Sequence, residues 1–207
     1  MKVSRHMIAK LYNFRGPLER GTAALELAII LPLMLIIVFA IIDFGRLFNA
    51  RLEIANIARE GGSLASRDIQ STQNIITYLL TGASSLDNGD LSTIKIYIWK
   101  IDGGISATNS TPTVDSANSA SGGNLSSSLA KSSVQNASGS NMPNLGFSYT
   151  FYNHLKYNSN NKMSDISVAT VVEVFYRYTP ISPISNFIPG LLTGDSGSKI
   201  ISSKAVF

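Results

Sequence analysis

The chain has 207 residues, a formal net charge of +4 and no cysteine. Without thiols it has no disulfide framework, no thiol nucleophile and no thiolate metal site, so any folded part is held by packing alone. The positive surplus lies almost wholly at the start: residues 43–207 carry twelve basic and eleven acidic groups, which leaves a nucleic-acid surface unsupported.

Taken in chain order, residues 1–21 form a basic leader in which Lys2, Arg5, Lys10, Arg15 and Arg20 outnumber Glu19. The positive-inside rule places them in the cytoplasm. From Leu27 to Ile42 sixteen residues pass without a charge, and Thr22 to Leu25 lengthen the apolar stretch to about twenty, enough to span a hydrocarbon core of about 30 Å. This predicts one transmembrane helix over 22–43, with Pro32 as a kink and the rest of the chain extracytoplasmic. A cleaved secretory signal ending at Val38-Phe39-Ala40 is the competing reading. The apolar run is longer than such a signal needs and continues through Ile41 and Ile42.

Helical periodicity outlasts the membrane span. Leu47, Ala50, Ile54, Ile57, Gly61 and Leu64 recur at steps of three and four, while Asn49, Glu53, Asn56, Glu60, Ser63 and Arg67 fall opposite them. Residues 44–67 are therefore predicted to be an amphipathic helix, with Leu47, Ile54, Ile57 and Leu64 as a seam for a partner subunit or for the chain's own sheet. Asp43 and Arg46 form a candidate i,i+3 pair at the outer membrane boundary, and Gly45 permits close helix contact.

Residues 68–207 read as an extracytoplasmic α+β domain. A short second helix is expected over Ile69–Leu80, and strands over Ile94–Ile101, Phe147–Tyr152, Ser167–Tyr178 and Ile200–Phe207. Asp87-Asn88-Gly89-Asp90 is a turn signal, and Pro180, Pro183 and Pro189 confine their segment to loop. About 103–142 is read as a flexible insertion. Of the 26 residues from Ser116 to Asn141, seventeen are Ser, Asn or Gly, a composition with little apolar surface to offset its ordering entropy. The N-x-S/T triplets at Asn109, Asn124 and Asn136 are the coincidences such a tract produces.

Motifs with chemical associations do not assemble into a catalytic site. Gly194-Asp195-Ser196-Gly197 has the look of a serine-protease nucleophile turn, yet His154 is the one histidine of the outer region and lacks that family's context. His154 also lacks fellow ligands for a metal, and the turn at Asp87 and Asp90 has no downstream bidentate glutamate for calcium. Asp43-Phe44-Gly45 spells a kinase motif without a Gly-rich loop or strand lysine. No catalytic residue, metal, cofactor or small-molecule substrate is expected.

The remaining signal is Glu26, a carboxylate at the lip of a membrane helix, where an ionised group is expensive and is a functional candidate by default. Arg20-Gly21 followed by Thr22-Ala23-Ala24-Leu25-Glu26 resembles the processing site of type IV prepilins. With Glu26-Leu27-Ala28, Leu31-Pro32, Asp43-Phe44-Gly45-Arg46-Leu47 and Ala58-Arg59-Glu60-Gly61, the stretch resembles the TadE-like family, pseudopilin-type proteins of the tight-adherence (Flp) pilus system. Leu27 stands where family members usually carry an aromatic residue. The resemblance implies that a prepilin peptidase cuts after Gly21, that Thr22 becomes the new N-terminus, and that Glu26 pairs with the α-ammonium of a neighbouring subunit. It further implies a minor structural or assembly component of the bacterial inner membrane, with other pilins, pseudopilins and the pilus assembly platform as partners. The competing function is a membrane-tethered extracytoplasmic binding module that uses the helix only as an anchor.

Overall fold

Apolar residues at helical spacing, unbroken by any charge between Glu26 and Asp43, drive a first helix that outruns any membrane. The computed structural model describes residues 17–86, 90–181 and 197–207. In it α1 runs over Pro17–Ser66, 50 residues or about 75 Å at 1.5 Å per residue, and passes through Pro32 as one helix. A second helix, α2 (Thr72–Gly82), begins at Ser71, whose hydroxyl accepts from the Asn74 amide.

The β-branched runs form an antiparallel sheet of β1 (Ile94–Asp102), β2 (Thr113–Gly122), β5 (Val168–Tyr178) and β6 (Lys199–Val206), in the order β2-β1-β5-β6. β1 and β5 pair over nine residues, from Ile94 opposite Tyr176 to Asp102 opposite Val168. β3 (Tyr157–Asn158) and β4 (Met163–Ser164) make a separate small hairpin. The architecture is a long apolar helix followed by a small antiparallel sheet domain, an α+β fold.

One face of the sheet carries the helices. Leu47, Ala50, Ile54, Ile57, Ala58 and Ala65 of α1 pack with Ile75, Ile76 and Leu79 of α2 onto Ile94, Ile96, Ile98, Val172, Val174, Tyr176 and Tyr178. Gly61 and Gly62 allow the close approach. A Cβ at Gly61 would lie 2.7 Å from Leu79 Cδ1, and one at Gly62 would lie 2.0 Å from the Phe207 ring. The polar side of α1 also takes part, since Tyr78 donates to Glu60 at 3.0 Å and Ser85 donates to Glu53.

The other face corrects two expectations. The stretch read as a flexible insertion over 103–142 supplies strand β2 and then a covering layer in which Leu125, Ala130 and Val134 are buried, joined by Leu145 just beyond it. These few apolar side chains, spaced through a polar tract, pack on Tyr97, Ile101, Ala169, Val171 and Phe175. Phe147–Tyr152 is not a strand. Ser148 caps α3 (Tyr149–Leu155) by accepting from the Phe151 amide, and the Phe147 and Phe151 rings meet at i,i+4 spacing with centroids 4.8 Å apart and planes tilted by 47°. Both faces of β5 are therefore covered, and the odd-numbered face holds Glu173 buried. Glu173 accepts from Ser132 Oγ at 2.5 Å and from the Ser133 amide at 3.0 Å, and also from the Ser133 hydroxyl. Its cross-strand neighbour Lys204 donates to Ser133 Oγ at 2.7 Å. Burial lowers the pKa of Lys204 from its ordinary value, and the Glu173 charge opposes that shift.

The proposed turn at 87–89, Pro183, Pro189, Gly194-Asp195-Ser196 and the leader residues Lys2, Arg5, Lys10 and Arg15 lie outside the described residues. Asp90 is described. It caps a short 3-10 turn, accepting from the Ser92 amide at 2.8 Å.

Candidate assembly site along the first helix

The residues singled out in the sequence divide along α1 into an exposed apolar half and a half built into the domain. From Gly21 to Ile42 every side chain except the part-covered Ala40 is exposed in the isolated chain, including Glu26. Thr22 and Glu26 are one helical turn apart and share a face. Among the described residues this is the one helix long and apolar enough to cross a membrane, and it fits a single-pass anchor. A Cβ at Gly21 or Gly45 would meet nothing within 4 Å, so neither glycine serves packing inside the chain.

Asp43 marks the change. It is 0% exposed, and its Oδ1 accepts from the Ile181 amide at 3.2 Å. Its backbone carbonyl accepts from the Tyr178 hydroxyl at 2.9 Å. The last residue of β5 and Ile181 just past it are thereby fastened to α1 where the helix leaves its apolar half. Burial raises the Tyr178 pKa, the Asp43 charge adds to that shift, and the Arg46 guanidinium opposes it. The neutral phenol is thus the form the fold holds. Its contribution is complete below the ordinary value of 10.0 and is lost as pH rises through the higher folded value. Alkaline unfolding followed by circular dichroism should show a loss of stability above that value which Tyr178→Phe flattens.

The expected partner seam is turned inward. Leu47, Ile54 and Ile57 are buried against the chain's own sheet, and Leu64 packs at the edge of the same cluster. Of the two occupants considered for that stripe, the one present is the domain itself. Burying these apolar side chains on a ready sheet removes them from water without any loss of translational freedom, which a partner would have to overcome.

A different stripe is left uncovered. Phe44, Phe48 and Leu52, one turn apart, are 57%, 58% and 52% exposed and continue the exposed apolar side of α1 past Asp43. Their i,i+4 spacing is present in the sequence, but the stronger Leu47 period masks it. From Thr22 to Leu52 is about 31 residues or about 46 Å, against a core of about 30 Å. Immersing all of it would need a tilt of about 50°, beyond the usual range of about 0–40°.

Outside α1, His154 Nδ1 lies 2.8 Å from Asp165 Oδ2, with both side chains about half exposed. Among the described residues no three His, Cys, Asp or Glu side chains gather as metal ligands.

Neither a curated protein nor a solved structure matches the chain. A family model does: residues 21–63, from the glycine before Thr22 through the glycine pair at Gly61-Gly62, match TadE-like protein, so that the membrane half of α1, its buried joint at Asp43 and its domain-bound half together carry a TadE-like sequence.

Proposed function

We propose that this protein is a TadE-like pseudopilin, a minor structural component of a tight-adherence pilus or related secretion machine that acts through helix association and not through catalysis. The observation that carries the reading is the family match over residues 21–63, on a helix whose apolar half is exposed in the isolated chain. The helix sits in the bacterial inner membrane with its N-terminus in the cytoplasm and the sheet domain outside. A prepilin peptidase cuts after Gly21, where the lack of a Cβ eases entry of an extended backbone. The new ammonium of Thr22 on one subunit neutralises Glu26 on the next, removing two charges that lipid penalises.

Mass spectrometry of the membrane-extracted protein tests the processing step. The mature chain should begin at Thr22, and Gly21→Val should leave it full length. A start at Met1 in cells with active prepilin peptidase would remove the pilin-type account of Glu26, and a start near Ile41 would identify a secretory signal instead. With processing intact, Glu26→Ala should insert normally but co-purify less with other pilus components.

The small residues Ala23, Ala24 and Ala28 suit close helix packing inside the bilayer, and Phe44, Phe48 and Leu52 extend the contact beyond it. A helix of a second pseudopilin fits that stripe because lipid does not reach its outer end. Phe48→Glu should lower helix-to-helix crosslinking by at least about tenfold, consistent with about 1.5–3 kcal/mol for a buried phenylalanine. Its outer domain should unfold at the wild-type temperature, since Phe48 takes no part in the core; unchanged crosslinking would exclude the stripe as a contact.

A further inference from the structure

We propose that a cavity beside Trp99, on the sheet face turned away from α1 and α2, binds an uncharged saccharide. This goes beyond the assembly reading and does not rest on it. The cavity has a volume of about 190 Å³ and is lined by Tyr97, Trp99, Ser127, Ser132, Gln135 and Asn136, with Ala130, Ala137 and Gly139 between them. Its aromatic wall is pre-built. The Tyr97 and Trp99 rings stack 5.5 Å apart at an interplanar angle of 10°. Trp99 Nε1 is fixed by Ser132 Oγ at 3.0 Å, and the Tyr97 hydroxyl is fixed by the Ala130 carbonyl at 3.2 Å. Ser132 in turn is held by buried Glu173, so the wall is anchored in the core.

The rim offers hydrogen-bonding groups that the fold does not use. Asn136 accepts at Oδ1 from the Ser138 and Ser140 amides, which leaves its amide nitrogen as a donor. Gln135 donates Nε2 to Asn141 at 2.9 Å, which leaves Oε1 as an acceptor. The Ser127 hydroxyl has no partner among the described residues. No charged side chain among them lines the cavity. Aromatic rings beside neutral donors and acceptors match a sugar ring, which presents weakly positive C–H groups and hydroxyls in place of charge. Phosphorylated or carboxylated ligands would find no cation there. The proposal also gives the Ser/Asn-rich tract a use, because Ser127 through Gly139 all belong to it.

Trp99 is the chain's single tryptophan, so its fluorescence reports on this site alone. Full-length protein in phospholipid nanodiscs, free of glycoside detergent, is titrated with chitotriose, maltotriose and an anionic heparin trisaccharide. A saturable change with at least one neutral sugar, and a weaker one with the anionic sugar, is expected. Ser127→Ala and Asn136→Asp should each weaken binding by at least about tenfold, since each leaves a sugar group without its partner. Asn136→Asp retains the Oδ acceptor that holds the turn, so loss of binding would not reflect loss of the loop. No saturable response to either neutral sugar, a preference for the anionic one, or wild-type affinity in both variants would overturn the assignment. None of these outcomes bears on the start of the mature chain or on helix crosslinking, so the two proposals fail separately.

Discussion

In Glu173→Ala the segment 126–147 will come away from the sheet while the helical side stays packed, and trypsin will cut after the exposed Lys131. Glu173 sits in the middle of β5, with Tyr97 opposite it on one side and Lys204 on the other. Buried there, it gathers both hydroxyls and one amide of Ser132-Ser133, and Ser132 passes the connection to Trp99. Truncating one member of a buried charged network costs about 3–5 kcal/mol, because the remaining polar groups lose their partner while still excluded from water. Glu173→Gln keeps an acceptor for the Ser133 amide and should lose about 1–2 kcal/mol. The measurement is limited proteolysis beside Trp99 emission, which should shift to the red in Glu173→Ala as the ring is exposed. A wild-type cleavage pattern in that variant would mean that Leu125, Val134 and Leu145 hold the layer without the network.

Asp43→Ala should destabilise the sheet domain by about 3 kcal/mol while leaving membrane insertion unchanged. The part-buried amide of Ile181 loses its acceptor, and a cavity opens where the fully buried Asp43 side chain meets the end of β5. Asp43→Asn retains Oδ1 and should cost about 1 kcal/mol. Arg46→Ala, three residues on but exposed, should stay within about 0.5 kcal/mol. Thermal unfolding of the three variants in nanodiscs separates these cases. Equal losses at Asp43 and Arg46 would show that the two act as the surface pair suggested by their spacing, and not as a buried clamp beside a spectator.

Asp43 and Glu173 differ in how far their roles can be read from neighbouring residues. Charge-free length and the period of Leu47, Ile54 and Ile57 are local properties, so the long helix and its apolar stripe are legible in the amino-acid order itself. The central strands are too, because Ile94–Ile101 and Ser167–Tyr178 are dense in β-branched residues whose preference agrees with their place in the sheet. β2 is not. Its sequence, Thr113 to Gly122, has weak strand propensity and is held by pairing with β1 and by Thr72 Oγ1 donating to the Asn118 carbonyl at 2.6 Å, a contact 46 residues distant. The covering layer is hidden for the same reason. A tract dominated by Ser and Asn signals disorder by composition, yet four apolar side chains and a buried carboxylate elsewhere in the chain give it a place to fold. Phe147–Tyr152 misleads through its aromatics, which suit a strand and a short capped helix equally. At the candidate assembly site Gly21, Glu26 and Asp43 are marked by their residue types, whereas the Phe44-Phe48-Leu52 stripe stands out only because the stronger seam is already occupied by the sheet.

Because α1 is a single helix shared by the apolar anchor and the sheet domain, no hinge of loop separates the two. A lift or rotation of the anchor along its axis is therefore handed directly to the strands, as shear between Leu47–Ala65 and the sheet, with the Asp43 clamp loaded first. A machine that moved this helix from a bilayer would carry the sheet domain along as cargo on a stiff lever.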